Sequence, residues 1–403
     1  MRRIVDLPLI IILMGIVSLM MFVPAGFAAT TRDWLPARSF FYSGVLFALL
    51  TVLLGLATAG RRKVSLTRAY LTALVATFAF LPLMMAVPFN EAVPDTRFLN
   101  AYFEMVSSIT TTGATLFEPD RLAPSVHLWR ALAGWFGGYV MWVAAIAILA
   151  PLNLGGFEVI SRGAVRDSGG LQRASSRVGR TTDSREILGR HALQLLPVYA
   201  GLTLALWFGL LVSGEAPLLA ICHAMSTLAT SGISPVSGAG GGQSGLAGEV
   251  LIFAFLVFGV SRTAFAPERG GWPLLRLPSD PEAQIGVLLV ALIPSFLFLR
   301  HWIGAFEVAE EGDLTAAIGA FWGSAFTVLS FLTTTGFESG QWDTARDWSG
   351  LQTPGMILIG LALIGGGILL LRQTAILKPN RMKSHVIRAV MGVTGMFFTY
   401  GAV

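Results

Sequence analysis

Long apolar runs constrain this chain more than any other feature of its sequence. They recur along its 403 residues and are roughly 18 to 25 residues long, enough for a helix to cross a hydrocarbon core of about 30 Å. Hydrophobic residues make up 54% of the chain and charged residues only 13%, about half the charged share of a typical globular protein. The sequence therefore predicts an all-α polytopic membrane protein.

The runs also predict how the chain is threaded. The candidate spans are residues 7–29, 39–59, 69–91, 127–152, 190–213, 247–266, 284–303 and 353–377, with a ninth beginning near 386. Basic residues gather on one side of these spans, with Arg2 and Arg3 before the first span and an arginine-rich loop over 162–190. Acidic residues such as Glu118 and Asp343 lie on the other side. The positive-inside rule then predicts a cytoplasmic N-terminus.

A short motif occurs three times between these runs. Each copy has Ser six residues before a glycine, Thr two residues before it and a hydroxyl-bearing residue immediately before it. The first copy is 107–114, the second copy 226–233 and the third copy 330–337. An internal repeat of this kind indicates a repeated structural unit.

Each copy has the same surroundings. A full span comes first, then a shorter apolar stretch that ends at the copy, then a second full span. The short stretches, about 97–109, 216–228 and 315–332, are too short or too polar at their ends to cross alone. They predict re-entrant helices that stop near mid-membrane, where irregular backbone is tolerated only if protein buries it or water reaches it. We expect side-chain N-caps at Asp95 or Thr96 and at Asp313.

The motif has the chemistry of a cation filter. Backbone carbonyls can replace an ion's hydration shell, glycine allows backbone angles that a Cβ would forbid, and the preceding helix directs its negative end at the ion. The predicted filter residues are Thr110, Thr111, Thr112, Gly113, Thr230, Ser231, Gly232, Thr333, Thr334, Thr335 and Gly336. The alternative is that the copies are only Thr- and Gly-rich loop tips between helices, and a single copy would favour it.

The repeated unit resembles that of the Trk/Ktr/HKT superfamily of potassium transporters. The first copy follows Phe103 and Glu104 and precedes Trp129, Arg130 and 134–138, a combination most similar to the bacterial Trk membrane subunit. The resemblance implies potassium translocation across the bacterial inner membrane, with K⁺ as substrate and no cofactor. It also implies a homodimer in which each protomer has its own pore, gated by a cytoplasmic nucleotide-binding regulatory subunit.

The resemblance suggests five segments. They are two N-terminal transmembrane helices at 1–66, three pore units at 67–160, 185–275 and 282–377, and a partial last helix at 378–403. The family has four pore units, and fewer residues follow Gly336 than separate neighbouring copies. A fourth unit is therefore expected to be lacking, and the last helix to be truncated or foreign. Gly365, Gly366 and Gly367 are candidates for the family's gating loop, with a helix kink as the alternative.

Two other functions stay open. The chain could be a non-conducting fragment or a dead partner of a full-length paralogue. It could instead carry small organic solutes, because 383–396 resembles an early helix of drug and metabolite exporters. Selectivity for K⁺ or Na⁺ is also open, although in the wider superfamily a Ser at the position of Gly113 accompanies Na⁺ passage.

The remaining features favour simpler explanations. The arginine-rich loop is expected to meet anionic lipid, or to dock the regulatory subunit. The net charge of +5 does not indicate nucleic acid in a chain of this class. Cys222 and His223 are expected to be packing residues, and 238–245 a flexible linker. Acidic and histidine residues do not cluster at catalytic spacing, so no enzyme is expected.

Overall fold

The computed structural model describes residues 8–58, 66–145, 183–236, 238–260 and 314–349, together with 284, 286–295 and 299. All regular structure in these ranges is helical, as the apolar runs predict. The chain divides into two compact units, Met1–Ser237 and Gly238–Val403. The gating-loop candidates Gly365, Gly366 and Gly367, the last helix and most of the arginine-rich loop lie outside the described residues. The five-segment division stays a prediction.

The first unit holds the first two copies. Its helices are α1 Leu9–Met20, α2 Phe22–Thr30, α3 Trp34–Thr58, α4 Leu66–Ala92, α5 Phe98–Ile109, α6 Pro124–Ala144, α7 Asp183–Val212 and α8 Pro217–Ala229, with a 3₁₀ turn at Pro119–Arg121. Among the described residues, four stretches are long and apolar enough to cross a membrane: Leu9–Thr30, Trp34–Thr58, Ala73–Ala92 and Gly189–Val212. These four stretches correspond to the first, second, third and fifth of the predicted spans.

The second unit holds the third copy. Its described helices are α9 Gly245–Val260, α10 Gly286–Ser295, α11 Leu314–Leu332 and α12 Trp342–Ser349. The predicted re-entrant helices are present as α5, α8 and α11, each ending within one residue of the predicted position. Helix length thus follows the apolar pattern of the sequence closely.

The predicted side-chain cap of α5 is wrong. The N-cap of α5 is Arg97, which makes no side-chain capping hydrogen bond. Asp95 instead has a left-handed backbone with φ 57°, a conformation that Asp tolerates better than most residues. Its carbonyl oxygen accepts a hydrogen bond from Nη2 of Arg121 at 3.2 Å. Asp95 is therefore part of the turn between α4 and α5, and Asp313 lies outside the described residues.

A buried core fixes the position of α5. Met105 and Ile109 of α5 are fully buried in a cluster with Phe89 of α4 and Trp129 of α6. The Trp129 indole also donates a hydrogen bond to the Met85 carbonyl oxygen at 3.2 Å. The helix before the first copy is therefore held on two sides by large apolar side chains.

Helix α6 also packs against the helix before the second copy. Leu128 and Ala131 of α6 form a buried cluster with Cys222 and Met225 of α8 and with Ile233 of the second copy. Cys222 is buried, which confirms its expected role as a packing residue. One helix, α6, thus contacts both pore helices of the first unit.

The prediction that 238–245 is a flexible linker is wrong for the first part of this segment. The Gly240 amide donates a hydrogen bond to the Glu338 carbonyl oxygen at 3.2 Å. A Cβ on Gly240 would lie 2.5 Å from the Gly340 nitrogen, so the two backbones are in contact. Glycine permits this close approach, and the segment packs against the loop that follows the third copy.

Candidate ion filter

Each pore helix ends in the same hydrogen-bonded turn. The amide immediately before the glycine donates to the carbonyl oxygen of the Ser six residues before the glycine. These bonds are Thr112 to Ser107 at 2.9 Å, Ser231 to Ser226 at 3.0 Å and Thr335 to Ser330 at 2.9 Å. The amide two residues before the glycine donates to the carbonyl three residues earlier, at 3.0, 3.2 and 3.0 Å. This pair of bonds is the Schellman end of a helix, so the repeated sequence encodes a repeated structure.

The threonine two residues before each glycine has a left-handed backbone. Its φ is 56° at Thr111, 51° at Thr230 and 62° at Thr334. For a β-branched residue this conformation is a genuine outlier, and such strain costs of order 1–3 kcal/mol per residue. The same strained residue occurs at the same place in all three copies. Strain of this kind gathers at functional sites, where the surrounding structure holds it.

The glycines also have positive φ, and one of them lies where the first two copies meet. The angles are 75° at Gly113, 66° at Gly232 and 79° at Gly336. A Cβ on Gly113 would overlap the carbonyl oxygen of Ser231. The first and second copies are therefore in backbone contact within the first unit.

Four of the predicted ligand hydroxyls take part in local hydrogen bonds. The Thr110 hydroxyl donates to the Val106 carbonyl oxygen at 2.7 Å and lies 2.8 Å from the Thr112 hydroxyl. In the third copy, the Thr333 and Thr335 hydroxyls are 3.0 Å apart. These bonds stabilise the turn, which leaves backbone carbonyls as the main candidate ion ligands. That the filter residues bind a cation stays a prediction.

Three glycines of α6 let the pore helices approach. A Cβ on Gly137 would overlap the Ile109 carbonyl oxygen at the end of α5. A Cβ on Gly138 would lie 3.0 Å from the Ala229 Cβ at the end of α8, and one on Gly134 would lie 2.8 Å from the Ile233 Cδ1. The segment 134–138, which carries part of the resemblance, thus provides a small face beside both copies.

A buried ion pair holds the loop after the first copy. The Glu104 carboxylate of α5 is fully buried and lies 3.0 Å from Nε of Arg130 on α6. Its Oε1 accepts hydrogen bonds from the Leu116 amide at 2.5 Å and the Thr115 hydroxyl at 2.8 Å. One side chain therefore ties the pore helix to α6 and to the chain beyond the filter. Glu104 and Arg130 carry part of the resemblance, but their spacing along the sequence does not predict that they pair.

His223 has the equivalent position in the second copy. Glu104 and His223 each lie nine residues before the filter glycine. The Nε2 atom of His223 lies 2.8 Å from the hydroxyl of Ser234, two residues after the glycine, where Thr115 stands in the first copy. The expectation that His223 only packs is incomplete, and aligning the copies on their glycines could have revealed this pairing.

The third copy has an acidic residue at its exposed end. Glu338 stands two residues after Gly336 and is exposed. Desolvation raises the pKa of the Glu338 carboxyl above its ordinary value, with Arg346 lowering it and Asp343 raising it further. The group therefore loses its charge at a higher pH than a fully hydrated carboxyl.

The fold and the shared hydrogen-bonded turn at the end of each pore helix together define a class of protein. Pore helices that end in a shared strained turn, set among apolar helices long enough to cross a bilayer, are typical of a helical membrane protein with pore-loop repeats. Comparison with known proteins agrees with this class. The crystal structure of the potassium transporter TrkH from Vibrio parahaemolyticus matches 90% of this chain and 69% of its own, with a TM-score of 0.67 and 23% sequence identity.

Sequence comparison finds relatives among the Trk potassium uptake proteins. The chain is 28% identical over 72% of its length to the Trk system potassium uptake protein TrkI of Halomonas elongata. It is 29% identical over 71% to TrkH of Vibrio parahaemolyticus, and 30% identical over 69% to TrkH of Salmonella typhimurium. No family model matches the chain. The chain is a homologue of the Trk potassium uptake proteins, and it spans about half the length of the curated relatives it matches, 53% for TrkI.

Proposed function

We propose that this chain carries potassium ions across the bacterial inner membrane through a filter lined by the three copies. One observation carries the proposal: each pore helix ends in the same strained turn, with a left-handed threonine two residues before a glycine of positive φ. Such turns hold the backbone in a fixed shape, and a fixed set of carbonyls can replace the hydration shell of an ion. The names of the relatives support potassium as the ion.

The ligands are the carbonyl oxygens of the filter residues in each copy. Every pore helix ends at its copy, so the negative end of its dipole is directed at the filter and favours a cation. Gly113 of the first copy favours K⁺ over Na⁺ through the resemblance stated above. The ion moves down its electrochemical gradient, and no cofactor or enzymatic step takes part.

The assembly we propose is a homodimer with a cytoplasmic nucleotide-binding regulatory subunit. This follows from the resemblance to the Trk membrane subunit, and the relatives are named as parts of an uptake system. The N-terminus is cytoplasmic in this arrangement, so the basic connections and the regulatory subunit are on the same side.

A second function stays open beside the first. In it the chain is a non-conducting fragment or a dead partner of a full-length paralogue. In that case the three turns form, but the protein does not conduct ions.

Rubidium uptake decides between the two functions. Cells that lack their own potassium uptake systems would express residues 1–403, first alone and then with a Trk-type regulatory subunit. We expect saturable uptake that Gly113→Asp and Gly336→Asp each abolish. A Cβ at Gly113 would overlap the Ser231 carbonyl oxygen, and a carboxylate at either position would trap the ion. The control is Gly26→Ala, since no atom lies within 4 Å of a Cβ at Gly26.

The same experiment can also exclude the conducting function. If the protein is present in the membrane fraction at the level of the control variant and rubidium does not enter under either condition, the conducting function is wrong. The fragment function then takes its place.

A further inference from the structure

A buried carboxylate holds the loop that follows the third copy. Glu249 lies on α9 and is 5% exposed. Its Oε2 accepts a hydrogen bond from the Ser339 hydroxyl at 2.6 Å, and its Oε1 accepts one from the Gly340 amide at 2.7 Å. A third bond comes from the indole of Trp322 on α11, at 2.8 Å. One side chain therefore ties the third pore helix to the chain beyond its filter residues.

The first copy has the same arrangement with a different carboxylate. There Glu104 accepts from the Thr115 hydroxyl and from the next amide along the chain. In both loops the hydroxyl also accepts an amide two residues later, from Phe117 at 3.2 Å in the first copy and from Gln341 at 3.1 Å in the third. The hydroxyl stands two residues after the glycine in the first copy and three residues after it in the third.

The pore helix of the third copy has no carboxylate at the matching position. Thr327 stands nine residues before Gly336, where the first copy has Glu104. Among the described residues, the fully buried Thr327 hydroxyl has no hydrogen-bond partner. Its short side chain cannot replace the carboxylate, so the acceptor comes from α9, a helix of the predicted second pore unit.

The two carboxylates differ in how their charge is balanced. Glu104 pairs with Arg130 at 3.0 Å. Within the described part of the chain, Glu249 makes no ion pair and has the Trp322 indole as an additional donor. A buried carboxylate without a counter-ion depends strongly on its hydrogen bonds. The position of the Ser339–Gly340 loop is therefore coupled to the Glu249 side chain by these hydrogen bonds.

We propose that Glu249 is the positioning residue of the third filter copy, holding the Ser339–Gly340 loop so that the third copy keeps the geometry that selects its ion. The selectivity part of this inference rests on the proposed function, whereas the positioning part does not. The same carboxylate-and-hydroxyl turn occurs after the first and third copies. In the first copy the carboxylate belongs to the copy's own pore helix, whereas in the third copy it comes from α9, so the third copy depends on a helix of the predicted second pore unit.

Labelling tests the positioning part without any transport. A cysteine is introduced at the exposed Glu338, next to the loop, and its reaction with a thiol reagent is followed in purified protein; the native Cys222 is buried. We expect Glu249→Gln to raise the labelling rate about tenfold, the factor that the loss of a hydrogen bond to a charged group gives. The labelling rate of Glu249→Asp should lie between the rate with the native Glu249 and the rate of Glu249→Gln. Glu91→Gln, at an exposed position of α4, is the matched control and should leave the rate unchanged.

A double-mutant cycle tests the contact itself. Ser339→Ala and Glu249→Gln should each lower the preference for rubidium over sodium in uptake, and the double variant should be no worse than Glu249→Gln alone because both remove one interaction. Additive losses, or an unchanged labelling rate in Glu249→Gln, would overturn the proposal. Faster labelling with unchanged selectivity would also overturn it. If the unaltered chain takes up no rubidium, the proposed function is wrong, and the labelling rates alone decide whether Glu249 positions the loop.

Discussion

At the scale of single residues, the most consequential contact is the buried pair of Glu104 and Arg130. The two side chains are 0% and 4% exposed, and their nearest charged atoms are 3.0 Å apart. Removing one partner of such a pair leaves a buried charge without compensation, which destabilises a protein by about 3–5 kcal/mol. The importance of the pair therefore shows most clearly in the stability that is lost when one partner is replaced.

We expect Arg130→Gln to lower the thermal midpoint of the detergent-solubilised protein strongly, whereas Arg38→Gln, at an exposed position, should change it little. Adding Glu104→Gln to Arg130→Gln should recover part of the loss, because it removes the orphaned charge. Melting followed by size-exclusion chromatography measures all four proteins. Equal midpoints for Arg130→Gln and Arg38→Gln would show that the pair has no structural role.

A second residue-scale prediction concerns pH. The pKa of Glu338 is raised, so this carboxylate is neutralised at a higher pH than an ordinary glutamate. If Glu338 concentrates cations at the filter mouth, rubidium uptake should decline as the external pH falls toward that pKa. Glu338→Gln should give lower uptake at neutral pH and a flatter pH profile. Identical profiles for the two proteins would exclude the role.

At the scale of elements, α6 is the helix on which the first two copies depend. It packs against both α5 and α8, and Gly137 touches the last carbonyl of α5. Two pore helices that share one supporting helix have their relative position fixed by that helix. A change in α6 should therefore affect both copies together.

Gly137→Ala tests this dependence against a matched change on a neighbouring helix. The added methyl group would overlap the Ile109 carbonyl oxygen, and overpacking of a tight contact costs about 1–3 kcal/mol. Gly201→Ala on α7 has no atom within 4 Å of its new Cβ, so it should be neutral or slightly stabilising. Thermal midpoint and rubidium uptake should both fall only in Gly137→Ala. A similar effect of the two substitutions would contradict the close packing of α6.

At the scale of the whole molecule, the distribution of charge predicts the threading of the chain. A membrane-impermeant thiol reagent applied to intact cells should label Glu118→Cys, in an acidic connection, and not Lys63→Cys, in a basic one. Labelling of both in permeabilised cells is the control. The reverse pattern would place the N-terminus outside and would overturn the proposed orientation.

The sequence by itself determined the helices and the repeat. Apolar length predicts the spans, because helix length in lipid follows apolar length. The three copies predict the three pore helices α5, α8 and α11, because the residues that the copies share form the same turn at the end of each helix. The Schellman bonds of all three copies are local, so residues close in the chain decide them.

Only the tertiary structure decided which residues support those turns. The partners of Glu104 and Glu249 come from other helices or from beyond the filter. Sequence spacing does not reveal a hydrogen bond between groups 91 residues apart, such as the one from the Gly340 amide to the Glu249 carboxylate. The N-cap expected at Asp95 failed for the same reason, since a contact with Arg121, 26 residues away, accompanies its left-handed turn. The local sequence pattern determines where the helices begin and end, and long-range packing determines which residues they contact.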